Sequence, residues 1–213
     1  KKFKSVKIAK DNQEIINNSS LVFLAVTPTV GIKILSKLNF KTDKKIISFI
    51  ATISLAKLKR LTKNKNIVRA IPLPPIEIKK GPIIVCPPNK VAKSFFSHLG
   101  SVIEVKNENV CNKFWSTSAL MAPFYELLKV SNDWLVRKGV EKSKATNYIT
   151  ELFLGLSQDA VNKKTNGLKK LVAESQTPKG LNEQALKELQ REKFYSKLNK
   201  TLNNIHTRLN KTK

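Results

Sequence analysis

The sequence LVFLAVTPTVG at residues 21–31 decides the fold. A short apolar run ends at Thr27-Pro28, and apolar residues at helical spacing follow it. A continuous apolar run of this length next to a helix pattern is typical of a buried strand in a parallel sheet. In such sheets, ligands bind outside the carboxyl ends of the strands. The stretch therefore predicts a strand whose following loop lies at a binding crevice.

The same alternation of strand and helix patterns continues through the first half of the chain. Strand patterns recur at 6–9, 45–50, 66–71, 82–86 and 101–106, and helix patterns lie at 11–19, 30–38 and 55–61. Ser54 precedes the last of these helix patterns, as an N-cap residue does, and Asp11 or Asn12 leads the first. This alternation predicts a parallel α/β sheet covered by helices on both faces.

The second half of the chain has a different pattern, with long helical stretches and no strand-like runs. Helices are predicted at 115–136, 142–162, 167–175, 181–191 and 194–209. We therefore predict two domains, a sheet domain at 1–108 and an all-helical domain at 109–213. The last helix carries one apolar stripe, which is compatible both with core packing and with a subunit interface: Leu198, Leu202, Ile205 and Leu209.

Composition narrows the class of protein. The net charge of +25 is compatible with nucleic-acid binding, but only five of the 40 basic residues are arginines, and the lysines are spread along the whole chain. No apolar run approaches the roughly 18 residues of a membrane span, and the first residues do not resemble a signal peptide. Cys86 and Cys111 have no further ligands at metal-binding spacing. We therefore expect a cytoplasmic protein with reduced thiols, no metal, no membrane partner and no nucleic-acid partner.

Five motifs occur in the order and spacing of one family. They read AVTP at 25–28, ISFIATI at 47–53, VRAIPLPP at 68–75, ALMAPFY at 119–125 and TPKGLN at 177–182. The corresponding family patterns are AVKP, ISxAAGV, VRxMPNTP, SGSGPAY and SPGGTT. Together these motifs resemble the pyrroline-5-carboxylate reductases over essentially the whole chain. The fold that the resemblance implies is a Rossmann-type sheet domain followed by a helical dimerisation domain.

The resemblance also implies a reaction, a cofactor and a set of site residues. The reaction is hydride transfer from NADPH or NADH to the C=N bond of a small cyclic imino acid, as in proline biosynthesis, by a homodimer or larger homo-oligomer. The implied cofactor contacts are Asn12, Ala25, Val26, Thr27, Pro28 and Ala51. The implied substrate turn is Thr177, Pro178, Lys179, Gly180 and Leu181, and Asn182 stands where the family has its catalytic threonine. Asn12 is equally compatible with a helix N-cap, and residues 178–180 with a simple helix-start turn.

Departures from the family pattern predict an altered substrate pocket. Thr27 replaces a lysine, Leu73 replaces an asparagine, and residues 119–122 are bulkier and less polar than the family's small residues. Asn182 can donate a hydrogen bond but does not easily relay a proton. The family's glycine-rich βαβ unit does not precede residue 1, which indicates either a fragment, as we expect, or a remnant that has lost cofactor binding. The residue that selects NAD or NADP lies outside this chain. The alternative function is a non-catalytic basic protein that binds nucleic acid or a protein partner on a degenerate reductase fold.

Overall fold

In a computed structural model of the chain, residues 3–163 and 167–211 are described, and they form two compact units. The first unit comprises the described residues of Lys1–Ser118 and Asn203–Lys213, and the second those of Ala119–Leu202. The units group residues 109–118 and the end of the chain with the sheet. The division of the chain into domains at 1–108 and 109–213 remains a prediction.

The described residues contain five strands and ten α-helices. The strands are β1 (Leu21–Leu24), β2 (Lys45–Ser48), β3 (Ile67–Ile71), β4 (Pro82–Cys86) and β5 (Ser101–Glu104). The helices are α1 (Asn12–Asn18), α2 (Pro28–Leu35), α3 (Leu55–Thr62), α4 (Lys90–Phe96), α5 (Glu108–Ser118), α6 (Met121–Arg137), α7 (Lys142–Asn162), α8 (Leu168–Glu174), α9 (Leu181–Arg191) and α10 (Phe194–Lys211). The predicted order of elements, an α/β part followed by an all-helical part, is confirmed.

The strands form one sheet in the order β1-β2-β3-β4-β5. β1, β2 and β3 run parallel, and so do β4 and β5, but β3 and β4 are antiparallel. The predicted parallel sheet is therefore confirmed for three of the four strand pairs, and the β3–β4 pair departs from it. Only residues 72–81 join β3 to β4, and they hold a 3-10 helix at Pro74–Ile78. A parallel pair needs a crossover of a dozen or more residues, so this short connection reverses the chain instead.

Helix caps confirm part of the sequence prediction, and one predicted strand is wrong. Ser54 caps α3 by accepting a hydrogen bond from the backbone N–H of Lys57 at 3.2 Å. Asp11 caps α1 by accepting one from Glu14 N at 2.9 Å. Residues 6–9 are not a strand, since they pair with no strand among the described residues and their side chains are largely exposed.

Alternating side chains of the sheet enter two core clusters, one on each face. Ile46 of β2 packs into a cluster with residues from α1, α2 and α3, whereas its neighbour Ile47 packs with Phe96 of α4 on the other face. Val68 and Ala70 of β3 lie in the second cluster. This alternation follows from the two-residue period of a strand and confirms that helices cover both faces.

A third core cluster joins β4 to α5. It contains Ile84, Cys86, Val105, Cys111 and Trp115, and Leu209 of α10 packs against it. Leu209, the last residue of the apolar stripe, therefore contributes to packing within the first unit. Leu198, Leu202 and Ile205 are half-buried.

The second unit is built from helices whose apolar side chains are largely exposed. Its buried residues, as described, are Ala145 and Ile149 of α7, and the ring of Phe124 on α6 lies edge-on to Phe153 of α7 at 6.0 Å. α6 begins only at Met121, because the helix predicted at 115–136 is interrupted at 119–120. In the described parts of the chain, every helix falls short of the length or apolar character that crossing a membrane requires.

Candidate functional site

The loop after β1 leads into the N-terminus of α2 at the edge of the sheet where β1, β2 and β3 end. Thr27 is the N-cap residue of α2, and its side chain makes no capping hydrogen bond. Pro28 takes the first helical position, where its missing N–H is tolerated, and Gly31 N donates to Thr27 O at 2.8 Å. The backbone N–H groups of the first turn therefore have no side-chain cap, an arrangement that favours a phosphate or another anion.

Three of the predicted cofactor residues line one small cavity beside this loop. Asn12, Ala25 and Val26 border a cavity of about 80 Å³ whose other walls are side chains of α1, β1, α2 and the segment that follows α2. Asp11, and not Asn12, caps α1, so the N-cap interpretation of Asn12 was wrong. Most of these walls belong to the first core cluster, so the feature that suits a phosphate is the uncapped helix N-terminus beside the cavity.

Gly31 allows α2 to lie close to the sheet at this point. A Cβ on Gly31 would lie 3.0 Å from Ile50 Cδ1 and 3.5 Å from Val26 Cγ2. The first distance is shorter than an ordinary carbon contact. Gly31 therefore places the N-terminus of α2 close to the carboxyl ends of the strands, where the implied cofactor residues lie.

Ala51, the remaining predicted cofactor residue, borders a second cavity of about 100 Å³ at the end of β2. Arg69 Nη2 donates a hydrogen bond to the Ala51 carbonyl, and Arg69 Nη1 forms an ion pair with Glu108 Oε1. Glu108 Oε1 also accepts a hydrogen bond from Leu55 N at 2.7 Å. The cavity is further lined by Thr52, Ser54, Asn109, Asn112 and Leu209. The loop between β2 and α3 is thus bound at both ends by one pair of charged side chains.

The sequence did not predict Arg69 and Glu108 as site residues. Arg69 alternates with Val68 and Ala70 on β3, so its side chain lies on the face that α5 covers. Its guanidinium carbon lies 4.4 Å from the centroid of the Trp115 ring, a cation–π contact. The available sequence signal was a charged residue inside a buried strand, which is rare without a partner. Glu108 is far along the chain, so the pairing itself was not visible.

The two cysteines are neighbours in the third core cluster, although they lie far apart in sequence. Cys86 and Cys111 are free thiols, and both are buried. A hydrogen bond with Cys86, together with burial, raises the pKa of the Cys111 thiol. A thiol with a raised pKa is a poor nucleophile, so Cys111 is a packing residue.

The predicted substrate turn lies in the second unit, immediately before α9. Gly180 N donates to Thr177 O at 2.8 Å, and Lys179 has a positive φ of 62°. Gly180 is the N-cap residue of α9, so the N–H groups of that helix have no side-chain cap from this position. Pro178 and Leu181 complete the turn, and Leu181 is exposed. The turn is compatible with a carboxylate site and equally with a simple helix start.

Glu183 and Asn182 already use part of this turn. Glu183 Oε2 accepts a hydrogen bond from Lys179 N at 2.7 Å, and its other oxygen pairs with Lys187 at 2.6 Å. The hydrogen bond from Lys187 and then that from Lys179 N lower the pKa of Glu183. Asn182 Nδ2 donates to Ser175 O at 2.9 Å. Asn182 also borders a largely apolar cavity of about 450 Å³ formed by side chains of α7, α8 and α9. A substrate bound here would therefore compete with the Glu183 carboxylate for the Lys179 N–H and with the Ser175 carbonyl for the Asn182 amide.

Metal ligands do not cluster in residues 3–163 and 167–211. No group of three or more His, Cys, Asp or Glu side chains in these ranges could hold a metal ion.

Comparisons with known proteins agree with the resemblance seen in the motifs. Residues 115–212 match the family model of the pyrroline-5-carboxylate reductase dimerisation domain. Over 163 residues the chain is 28% identical to the pyrroline-5-carboxylate reductase of Synechocystis sp., a match that covers 72% of this chain and 60% of that protein. The chain therefore matches less than two thirds of the length of this relative.

Solved structures have the same fold. The Plasmodium falciparum pyrroline carboxylate reductase, solved with NADP bound, superimposes with a TM-score of 0.84 at 20% identity, over 96% of this chain and 81% of that one. The 1-pyrroline-5-carboxylate reductase of Streptococcus pyogenes has a TM-score of 0.81 at 21% identity, over 94% of this chain and 80% of that one. In its matched dimerisation domain and in its fold, the chain is similar to the pyrroline-5-carboxylate reductases.

Proposed function

We propose that this protein is an NAD(P)H-dependent reductase that transfers a hydride to the C=N bond of a small cyclic imino acid. The observation that carries the proposal is the uncapped N-terminus of α2 beside the cavity of Asn12, Ala25 and Val26, in a chain similar to the pyrroline-5-carboxylate reductases. When it is bound, the nicotinamide supplies the hydride to the carbon of the C=N bond, and water supplies the proton that the nitrogen takes up. The protein supplies binding, orientation and a hydrogen bond to the substrate.

The residues of the first unit bind and orient the cofactor in this proposal. The N–H groups at the start of α2 hold a phosphate, and they do so without the lysine that Thr27 replaces. The Asn12 amide contacts a ribose hydroxyl. Ala51 contributes backbone atoms at the end of β2, where the carboxyl edge of the sheet lies. NADP and NAD both fit this set of contacts.

The turn at residues 177–181 and Asn182 bind the substrate in this proposal. The uncapped start of α9 favours the carboxylate of an imino acid. Asn182 Nδ2 donates to the imine nitrogen, and for this it must exchange the Ser175 carbonyl for the substrate. Because Asn182 is a weaker proton relay than a hydroxyl, we expect turnover with pyrroline-5-carboxylate to be slow and a related cyclic imine to be a candidate substrate.

The decisive experiment is a titration of the full-length protein with NADPH and with NADH, followed by nicotinamide fluorescence. We expect binding of at least one nucleotide and its oxidation when pyrroline-5-carboxylate is added. Asn12→Ala should weaken binding, whereas Asn18→Ala, an exposed asparagine on the same helix that does not border the cavity, should not. Failure of both nucleotides to bind would contradict the proposal and favour the non-catalytic alternative.

We further propose that the protein is a homodimer formed through its helical unit. The matched dimerisation model covers this unit, and many of its large apolar side chains are exposed, among them Trp134, Tyr148, Leu154 and Leu156. Exposed apolar surface of this extent marks an interaction site. Analytical ultracentrifugation should give twice the 24.0 kDa chain mass, and a monomer at micromolar concentration would contradict the dimer. A cytoplasmic location stays a prediction, which cell fractionation can test.

A further inference from the structure

Arg69 and Glu108, which we call the clamp, hold the loop at residues 51–55 from both ends. Arg69 donates to the carbonyl of Ala51, Glu108 accepts from the N–H of Leu55, and the two side chains form an ion pair with each other. Between these points the loop has two further anchors, the buried side chain of Ile53 and the capping hydroxyl of Ser54. The clamp therefore joins the end of β2, the start of α3 and the start of α5.

The burial of the clamp makes each of its hydrogen bonds important. The side chain of Arg69 is 3% exposed and that of Glu108 is 25% exposed. Arg69 Nε is buried and has no hydrogen-bond partner among the described residues, so the guanidinium depends on the Ala51 carbonyl, Glu108 and the Trp115 ring. Removing one member of a buried ion pair leaves an uncompensated charge. Loss of either member therefore displaces the loop or opens it to water.

We propose that the clamp is a positioning device for the cofactor, because it fixes the backbone at Ala51. This inference rests on the proposed function, in which Ala51 contacts the cofactor at the carboxyl end of β2. Arg69 and Glu108 act through the loop and need not touch the nicotinamide themselves. A lysine at position 69 cannot reproduce the fork that binds a carbonyl and a carboxylate at the same time. The clamp therefore requires arginine and an ionised carboxylate.

The chain offers a matched control for the clamp at the far side of the sheet. Glu104 of β5 pairs with Lys93 at 3.1 Å and accepts a hydrogen bond from Asn89 N at 2.9 Å. Like Glu108, it is a partly exposed carboxylate that binds one cationic side chain and one backbone N–H. It does not border the loop at 51–55, so Glu104→Gln makes the same chemical change away from the proposed cofactor contact.

The test compares Glu108→Gln and Arg69→Lys with Glu104→Gln and the wild type. We expect both clamp variants to raise the Kd and the KM for NADPH about tenfold or more with a smaller change in kcat, and Glu104→Gln to leave them within about twofold. Hydrogen exchange, followed by mass spectrometry on the unliganded protein, should show faster exchange at the Leu55 amide in both clamp variants and not in Glu104→Gln. This second measurement stays informative for any clamp variant that folds, whether or not it turns over substrate.

The possible results separate the inference from the proposed function. A wild type that binds neither NADPH nor NADH overturns the proposed function and the inference together. A wild type that binds, with clamp variants that keep its Kd and differ only in thermal stability, overturns the inference alone and makes the clamp purely structural. Equal loss of affinity in Glu104→Gln and Glu108→Gln also overturns it, because the effect would then not come from the loop.

Discussion

Replacing Gly180 with alanine tests the geometry of the proposed substrate turn. Gly180 has a φ of −81°, which any residue can adopt, so the requirement for glycine is steric. A Cβ at this position would overlap Thr177 Oγ1 and lie 2.9 Å from Thr177 O. That carbonyl also accepts the hydrogen bond from Gly180 N, so the turn cannot simply move its oxygen away.

The expected magnitude follows from how far each atom must move. The Thr177 hydroxyl can leave by rotation about χ1, whereas the carbonyl must retreat by roughly 0.5 Å to reach an ordinary contact distance. This shift lengthens the hydrogen bond that closes the turn. Overpacking of this kind costs about 1–3 kcal/mol. Thr177→Ala removes the hydroxyl and leaves the carbonyl, so it should rescue part of the loss.

Denaturant unfolding of the wild type and three variants measures these changes in stability. Gly180→Ala should lower the unfolding midpoint, and Thr177→Ala/Gly180→Ala should recover part of the loss. Gly155→Ala is the matched control, because Gly155 lies inside α7 and no atom would come within 4 Å of its new Cβ. Alanine in the interior of a helix should stabilise the protein by about 0.5–1 kcal/mol. The steric argument would be refuted if Gly180→Ala were as stable as the wild type while Gly155→Ala was more stable than the wild type.

Two further predictions concern buried and paired charges in the first unit. Lys44→Met should lower the free energy of unfolding by about 1–3 kcal/mol, because Nζ of the buried Lys44 donates hydrogen bonds to Asn17 O at 3.2 Å and Ser19 O at 2.8 Å. Chemical unfolding measures this loss. An equal effect of Lys45→Met, at the exposed neighbouring position, would contradict the prediction. Glu104→Gln should destabilise the protein at neutral pH, since hydrogen bonds from Lys93 and Asn89 hold the pKa of Glu104 below its ordinary value of 4.5. A carboxyl group whose pKa is lower in the folded state stabilises the fold at pH values above its ordinary pKa. This stabilisation is lost as the pH falls through the folded-state pKa. Thermal unfolding of the two proteins should therefore converge in acid, and a difference that persists at low pH would rule out the charge as its cause.

The sequence predicted the elements whose signals are local. Ser54 marked the start of α3, and the apolar run after residue 20 marked β1, because a helix cap and a short apolar run depend on a few neighbouring residues. The direction of β4 was not predictable in this way. It depends on the connection at residues 72–81, whose prolines indicate a break and not the direction that follows it. The break at 119–120 was missed because apolar residues continue across it at helical spacing.

The part of the candidate site that lies in sequence motifs could be predicted from the sequence. The part formed by residues far apart in the sequence could not. Asn12, Ala25 and Val26 came from the family resemblance, and the structure shows that they border one cavity. Their roles, like those of Asn182 and the turn at 177–181, stay predictions. Arg69 lay inside a quoted motif, but its partner Glu108 is 39 residues away. A pairing over this distance follows from the packing of α5 on the sheet, which no local pattern encodes.

The order of the strands has a consequence for how the chain folds. Among the five described strands, each one after β1 lies beside the strand that precedes it in the sequence, so none of the pairings among them waits for a remote segment to arrive. Short separations between pairing segments reduce the entropy lost in closing loops and favour fast folding. The reversal between β3 and β4 shortens one separation further, because it replaces a crossover helix with residues 72–81. Such a sheet can grow one strand at a time as the chain leaves the ribosome.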